Sequence, residues 1–278
     1  MSILLELCTT RHIGTKEKAK EFFKLLEKYD ILPDKIGYHE PLKEIYSFDK
    51  AIEMWMFDDG VFPNIAKSGD IIGKKKDPNV RLDVSWAFGE KIGVPNYVNL
   101  WFTKKSFKQL RPKIEDLFKD MIFCLDAFYG YVSDYNWVMH QSVTGTIETR
   151  MPGIFWCNYF GDVYVNFFGK EKILNASWFK TEVLDNGGII AYLTEEPDKE
   201  LFDDANILTS PNKDIRKKHN ILELRVKEQL GKDSFGEPWD EQAVFSSIEE
   251  SLNYKNQEKN VPKLDMSEIR RPVSEFKE

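Results

Sequence analysis

Cysteine is scarce in this 278-residue chain, and the three that occur, Cys8, Cys124 and Cys157, lie far apart. So few scattered thiols cannot build the dense disulfide framework on which small secreted domains rely. Each stands among apolar residues, which suits a buried thiol in a reducing compartment. Long apolar runs are missing too, and none approaches the roughly 20 residues that a membrane-spanning helix needs. The opening residues, Met-Ser-Ile-Leu-Leu-Glu-Leu, lack the basic start and extended apolar core of a secretory signal. A cytoplasmic location with no membrane partner is therefore expected.

The usual motifs of chemistry are also absent. There is no Gly-x-Gly-x-x-Gly, no Gly-x-x-x-x-Gly-Lys-Ser/Thr, no His-Glu-x-x-His and no Gly-x-Ser-x-Gly. Phosphate cradles and nucleophile elbows depend on those glycines, so dinucleotide binding by the usual fingerprint, P-loop hydrolysis and the common serine and zinc hydrolases lose their basis. The four histidines, His12, His39, His140 and His219, are far apart, whereas metal sites usually show at least one close pair. No metal and no cofactor is expected. Basic residues are not in excess either: the net charge is −7, which argues against a general nucleic-acid binder. Two basic patches, Lys74-Lys75-Lys76 and the group Lys213, Arg216, Lys217, Lys218, read as solvated faces. Acidic pairs such as Asp58-Asp59 arise freely in a chain with 31% charged residues.

What is abundant is bulk: 42% hydrophobic residues, with seven Trp and twenty Phe, enough for a sizeable core. Strands are expected at 3–8 and 97–103, with a hairpin of 71–76 and 81–88 around Asp77-Pro78-Asn79. In its second arm Leu82, Val84, Trp86 and Phe88 alternate with Arg81, Asp83 and Ser85, the period of a half-buried strand. Thr15 caps an amphipathic helix carrying Ala19, Phe22, Phe23, Leu26 and Tyr29. A second helix, with Pro112 in its first turn, runs through Ile114, Leu117, Phe118, Met121, Leu125 and Phe128 to Gly130. A third opens at Ser210-Pro211 and closes at Gly231. Asp49 suits the cap of a short helix through Trp55, while Met54-Trp55-Met56-Phe57 fits a strand equally well. Trp178 to Leu193 reads as a hairpin turning at Asp185-Asn186-Gly187-Gly188.

Mixed elements with short strand-to-strand links imply an α+β fold, a mostly antiparallel sheet with amphipathic helices packed on one face. One domain over 1–252 is expected, with two pseudo-similar strand–helix halves divided near 140 as the alternative. Residues 253–278 read as a charged tail or strap. Strands are also expected at 144–147 and 154–159, and a short helix at 240–252. The stretch 153–169 organises the centre of the chain: an aromatic strand, a turn at Gly161, a short helix capped by Asp162, and Gly169 where a left-handed C-cap is wanted.

Within that stretch Trp156-Cys157-Asn158-Tyr159-Phe160-Gly161, followed by Tyr164-Val165, resembles the signature segment of bacterial immunity proteins that protect against type VI or polymorphic toxins. In those sequences a Trp-x-Asn-x-Phe-Gly run precedes a short helix and a Gly-Gly hairpin, here Gly187-Gly188. The strand from Pro95 to Leu100 and the turn 230–235 fit the same layout, so the resemblance spans about 70–235. It implies a non-enzymatic protein that binds a toxin or a defence-system subunit and blocks or regulates it. An enzyme or small-ligand binder with a pocket of non-adjacent polar residues (His12, Asp83, Trp86, Asn158) is one alternative; a structural subunit of a larger assembly is another. The candidate ligand or partner contacts are His12, Asp58, Asp59, Asp83, Trp86 and Asn158.

Overall fold

The computed structural model describes residues 2–60, 66–89, 96–135, 137–138, 153–195 and 213–235. The chain folds as two compact units that divide between Gly130 and Tyr131. The first unit opens with β1 (Ser2–Thr9) and α1 (Lys16–Lys28). It continues through β2 (Lys35–Gly37), β3 (Glu44–Ile45), α2 (Phe48–Trp55), β4 (Ala66–Lys75), β5 (Val80–Gly89), β6 (Asn96–Thr103) and α3 (Lys104–Leu125). Its strands lie in the order β3-β2-β4-β5-β6-β1, and each of these neighbours pairs antiparallel. The expected α+β architecture, a largely antiparallel sheet with helices, is what the chain forms.

Alternation along the strands decides which side is core. Ile3, Leu5 and Leu7 of β1, Leu82, Val84, Trp86 and Phe88 of β5, and Val98, Leu100 and Phe102 of β6 are all buried. They meet the helix layer, in which α3 packs on β1 and β6 and α1 packs on α2 and α3. Each large apolar side chain placed there contributes about 1.5–3 kcal/mol relative to exposure. The helices start where the sequence offers caps: Thr15 accepts from Lys18 N, Ser47 from Lys50 N and Thr103 from Ser106 N. Ser47 thereby makes 48–55 a helix rather than a strand.

The second long helix differs from its sequence reading at both ends. It begins at Lys104, so Pro112 lies inside it rather than in its first turn. The Thr103 cap and the buried Phe107 and Leu110 extend the apolar stripe backwards, and this packing outweighs the backbone bond that Pro112 cannot make. It ends at Leu125 because Asp126 turns left-handed, φ 49°, and Ala127 N bonds back to Ile122 O at 3.0 Å. Phe128 is thus off the helix, and Gly130 joins the next strand.

The division falls within β7 (Tyr129–Asp134), and the second unit continues with β8 (Cys157–Phe160), α4 (Asp162–Phe168), α5 (Lys170–Leu174), β9 (Lys180–Val183), β10 (Ile189–Tyr192) and α6 (Lys213–Leu230). Strand order is β7-β8-β10-β9, with β10 antiparallel to both β8 and β9. The aromatic strand is shorter than expected, starting at Cys157, and Gly161 rather than Asp162 occupies the cap position. Asp162 instead accepts from Val163 N at 2.8 Å within the first turn. Gly169 takes φ +88°, a value that favours glycine, between α4 and α5. The expected elements at 144–147, 210–212, 240–252 and 253–278 lie outside the described residues.

One ring anchors the first unit. Trp86 Nε1 donates to Trp55 O at 2.9 Å, and Trp55 Nε1 donates to Ile13 O at 2.6 Å, tying β5 to α2 and to the β1–α1 link. The Trp86 indole lies against Gly14 and Gly69, where a Cβ would stand 2.5 and 2.8 Å from ring atoms. His12 completes the group, with ring centroids 5.5 Å from Trp86 and 4.3 Å from Phe88. Burial, aided by the nearby Lys67 charge, lowers its pKa to about 4.

Two outcomes follow from this packing. Gly69→Ala places a Cβ 2.6 Å from Phe57 O as well as against Trp86, so urea unfolding should show a loss of about 1–3 kcal/mol; an unchanged midpoint would mean the indole is not held there. His12 titrates at 6.5 when unfolded and near 4 when folded, so the unfolded chain takes up the proton first. Its contribution is intact above pH 6.5 and is lost as pH falls toward 4, at no more than about 1.4 kcal/mol per pH unit. His12→Phe should flatten the stability profile between pH 7 and 5; identical slopes for the two proteins would refute the assignment.

Candidate functional site

The residues that alternate with the core side chains form the other face of the first unit's sheet. Cross-strand register sorts them into rungs. One rung runs Ile72, Asp83, Asn99, Glu6 across β4, β5, β6 and β1; the next runs Asp70, Ser85, Tyr97, Cys8. A third, toward the β4–β5 turn, runs Lys74, Arg81, Trp101, Leu4. Three carboxylates, Glu6, Asp70 and Asp83, therefore share two adjacent rungs, where cross-strand Cβ atoms are about 5 Å apart.

A cleft of about 620 Å³ opens over these rungs. Asp70, Ile72, Arg81, Asp83, Tyr97 and Asn99 form its floor, and Tyr38, His39, Phe57 and Asp59 its wall. The rings of Tyr38 and Phe57 lie 4.8 Å apart between centroids, and Phe57 is 50% exposed. Asp59 holds the wall to β4: its backbone N donates to Ser68 O at 2.9 Å and its carboxylate accepts from the Ser68 hydroxyl.

Charge is unevenly compensated across the cleft. Arg81 Nε reaches both Asp83 oxygens, at 2.8 and 3.0 Å, and Arg81 Nη1 lies 3.3 Å from Glu40. Lys74 also pairs with Glu40, at 2.6 Å, and the Glu40 pKa is lowered chiefly by that hydrogen bond. Asp70 makes no ion pair among the described residues. Tyr97 reports the resulting field: burial raises its pKa first, and Asp70, Asp83 and Glu6 raise it further against an opposing hydrogen bond with Ser85. Beneath them Asn99 is only 9% exposed, and its Oδ1 has no hydrogen-bond partner among the described residues.

Of the residues singled out from sequence, Asp59 and Asp83 line this cleft. Asp58 does not; its carboxylate accepts from Gly60 N at 3.1 Å and Ser68 N at 3.3 Å and so shapes the adjoining loop. His12 and Trp86 belong to the helix-side packing, since Trp86 and Asp83 point to opposite faces of β5. Asn158, in the second unit, is fully buried and spends its amide on backbone: Oδ1 accepts from Phe155 N at 2.8 Å, and Nδ2 donates to Phe155 O at 2.8 Å and Ala191 O at 3.3 Å. It shapes the strand entry. Asp70, Tyr97, Asn99, Glu6 and the Tyr38–Phe57 wall are additions that the structure makes to the sequence reading. The signal for three of them is present in the pattern: Tyr97 and Asn99 alternate with Val98 and Leu100, and Glu6 with Leu5 and Leu7. The wall comes from loops, whose return onto the sheet no periodicity announces.

Among the described residues no helix is long and apolar enough to cross a membrane, and no group of three His, Cys, Asp or Glu side chains could hold a metal ion. The sequence matches no protein-family model and no curated protein. Among solved structures, the Pseudomonas aeruginosa T6SS protein PA0821 is similar, with a TM-score of 0.52 at 12% identity over 92% of this chain and 81% of that one. At that identity the likeness is one of fold.

Proposed function

We propose that this protein is a non-enzymatic binding protein of the immunity or defence type, which neutralises or regulates a protein partner through the acidic open face of the first unit's sheet. The observation that carries the reading is the face around the cleft: Glu6, Asp70 and Asp83 on two adjacent rungs, beside the exposed rings of Tyr97 and Phe57. Aromatic rings supply contact area at low conformational cost, and clustered carboxylates steer a basic partner and reject an acidic one. The fold likeness to a T6SS protein supports a setting of this kind.

Catalysis finds little support in the same groups. Cys124 is buried and its thiol is pushed up to about 12, mainly by desolvation, far from the thiolate a nucleophile needs. The buried imidazole of His12 is committed to aromatic packing on the opposite side of the sheet.

The test is functional. Proteins encoded by neighbouring genes are expressed one at a time, with and without this chain, and growth and association are measured. Rescue from toxicity is expected with the native chain. Asp70→Lys should cut the association rate about tenfold or more at low salt, whereas Lys24→Glu on the exposed side of α1 should not. Equal rates for Asp70→Lys and the native chain would remove the acidic face from the interface; no neutralised partner at micromolar concentration would remove the function.

A further inference from the structure

We propose that the cleft is a receptor for one arginine side chain of the partner, with the guanidinium seated over Asn99. The inference rests on the partner-binding reading and names the group that the acidic face would recognise.

Three observations converge on this chemistry. The first is Asn99, a buried amide whose Oδ1 meets no donor among the described residues. Leaving a buried acceptor unmade is costly, and a core strand position would be filled more favourably by an apolar side chain. Asn99 lines the cleft, on the same face of the sheet as Asp83, so its amide is the polar group at the floor that an incoming donor meets. The second is the charge nearby: Asp83 and Glu6 flank Asn99 on its own rung, and Asp70 stands on the next rung two strands away. Arg81 is already shared between Asp83 and Glu40, which leaves Asp70 to an incoming charge. The third is aromatic: Tyr97 beside the amide and the Tyr38–Phe57 pair at the wall offer ring faces to a flat cation.

A guanidinium satisfies all three at once. It is planar, carries five N–H donors, forms paired bonds to carboxylates and stacks on rings, whereas an ammonium is a compact, strongly hydrated point charge. One guanidinium can donate to Asn99 Oδ1 and to the Asp70 carboxylate while its plane lies against an aromatic ring. An anion is refused by the surrounding carboxylates, and a neutral urea group lacks the charge that they reward.

The full chain, isotopically labelled, is titrated with N-acetyl-arginine methyl ester, the lysine analogue and the neutral citrulline analogue, and the Asn99 side-chain amide and Tyr97 resonances are followed. Arginine should shift both with half-saturation in the millimolar range, lysine should bind about fivefold more weakly, and citrulline should leave them unmoved. Asp70→Asn, at an exposed position, should weaken arginine about fivefold. Asn99→Leu should weaken it tenfold or more while raising the urea midpoint, because the unmade acceptor is gone. Equal response to citrulline, equal affinity for lysine, or an Asn99→Leu protein that is less stable yet still binds would each overturn the proposal. A partner neutralised through Asp70 without any arginine response would sink the receptor and leave the interface standing. An arginine response with no neutralised partner would do the reverse.

Discussion

The two-residue alternation of β1, β5 and β6 is the constraint on which the rest depends. It sends Trp86, Leu82, Val98 and Leu5 to the helices and Asp83, Asn99, Tyr97 and Glu6 to the opposite face. A slip of one residue would exchange the two sets, burying carboxylates beneath α3 and exposing the indole. The cost of such an exchange runs to many kcal/mol, since buried unpaired charges and exposed rings would both be incurred. Register is therefore strongly specified, and the acidic face follows from the core as its complement.

Trp86 turns that register into three-dimensional order. Its ring takes up the space left by Gly14 and Gly69, and its N–H connects through the Trp55 carbonyl to the helix that precedes β4. The Trp55 ring, against Phe22 and Phe23 at 5.2 and 5.7 Å, passes the same packing on to α1. Phe57, two residues beyond the end of α2, then reaches the cleft wall from a chain already held at Trp55. The edge of the cleft thus inherits its position from the core on the other side of the sheet.

How much of this is legible in the sequence varies with the kind of information required. Local signals carry through: the Thr15 cap, the alternation of β5, and the turns at Asp77-Pro78-Asn79 and Asp185-Asn186-Gly187-Gly188 all lie where expected. The Pro112 helix starts earlier than its proline suggests, because the Thr103 cap and the longer apolar stripe outweigh that residue. The short strands β2 and β3, at one side of the sheet, carry too few residues for a period to emerge. For the cleft, Asp83 stands out as a polar residue on a half-buried strand, but its neighbours on the rung are 16 and 77 residues away in sequence, at Asn99 and Glu6. Only pairing brings them together. Asn158 and Trp86 stand out as polar or aromatic residues in a strong pattern, and both are engaged in packing.

The charge on the open face is arranged along the strands as well as across them. At the β4–β5 turn Lys74 and Arg81 are balanced by Glu40 and Asp83, so that end presents little net field. Asp70 stands four residues farther along β4, about 13 Å at 3.3 Å per residue. At physiological salt the Debye length is about 8 Å, so mobile ions damp the field of the turn cations before it reaches Asp70 through solvent. The face is therefore acidic at one end and nearly neutral at the other. A uniformly basic surface would find only half of it complementary, whereas a partner carrying one concentrated basic feature would find its orientation fixed. In the proposed binding role, this asymmetry is what would set the direction in which a basic partner lies on the face.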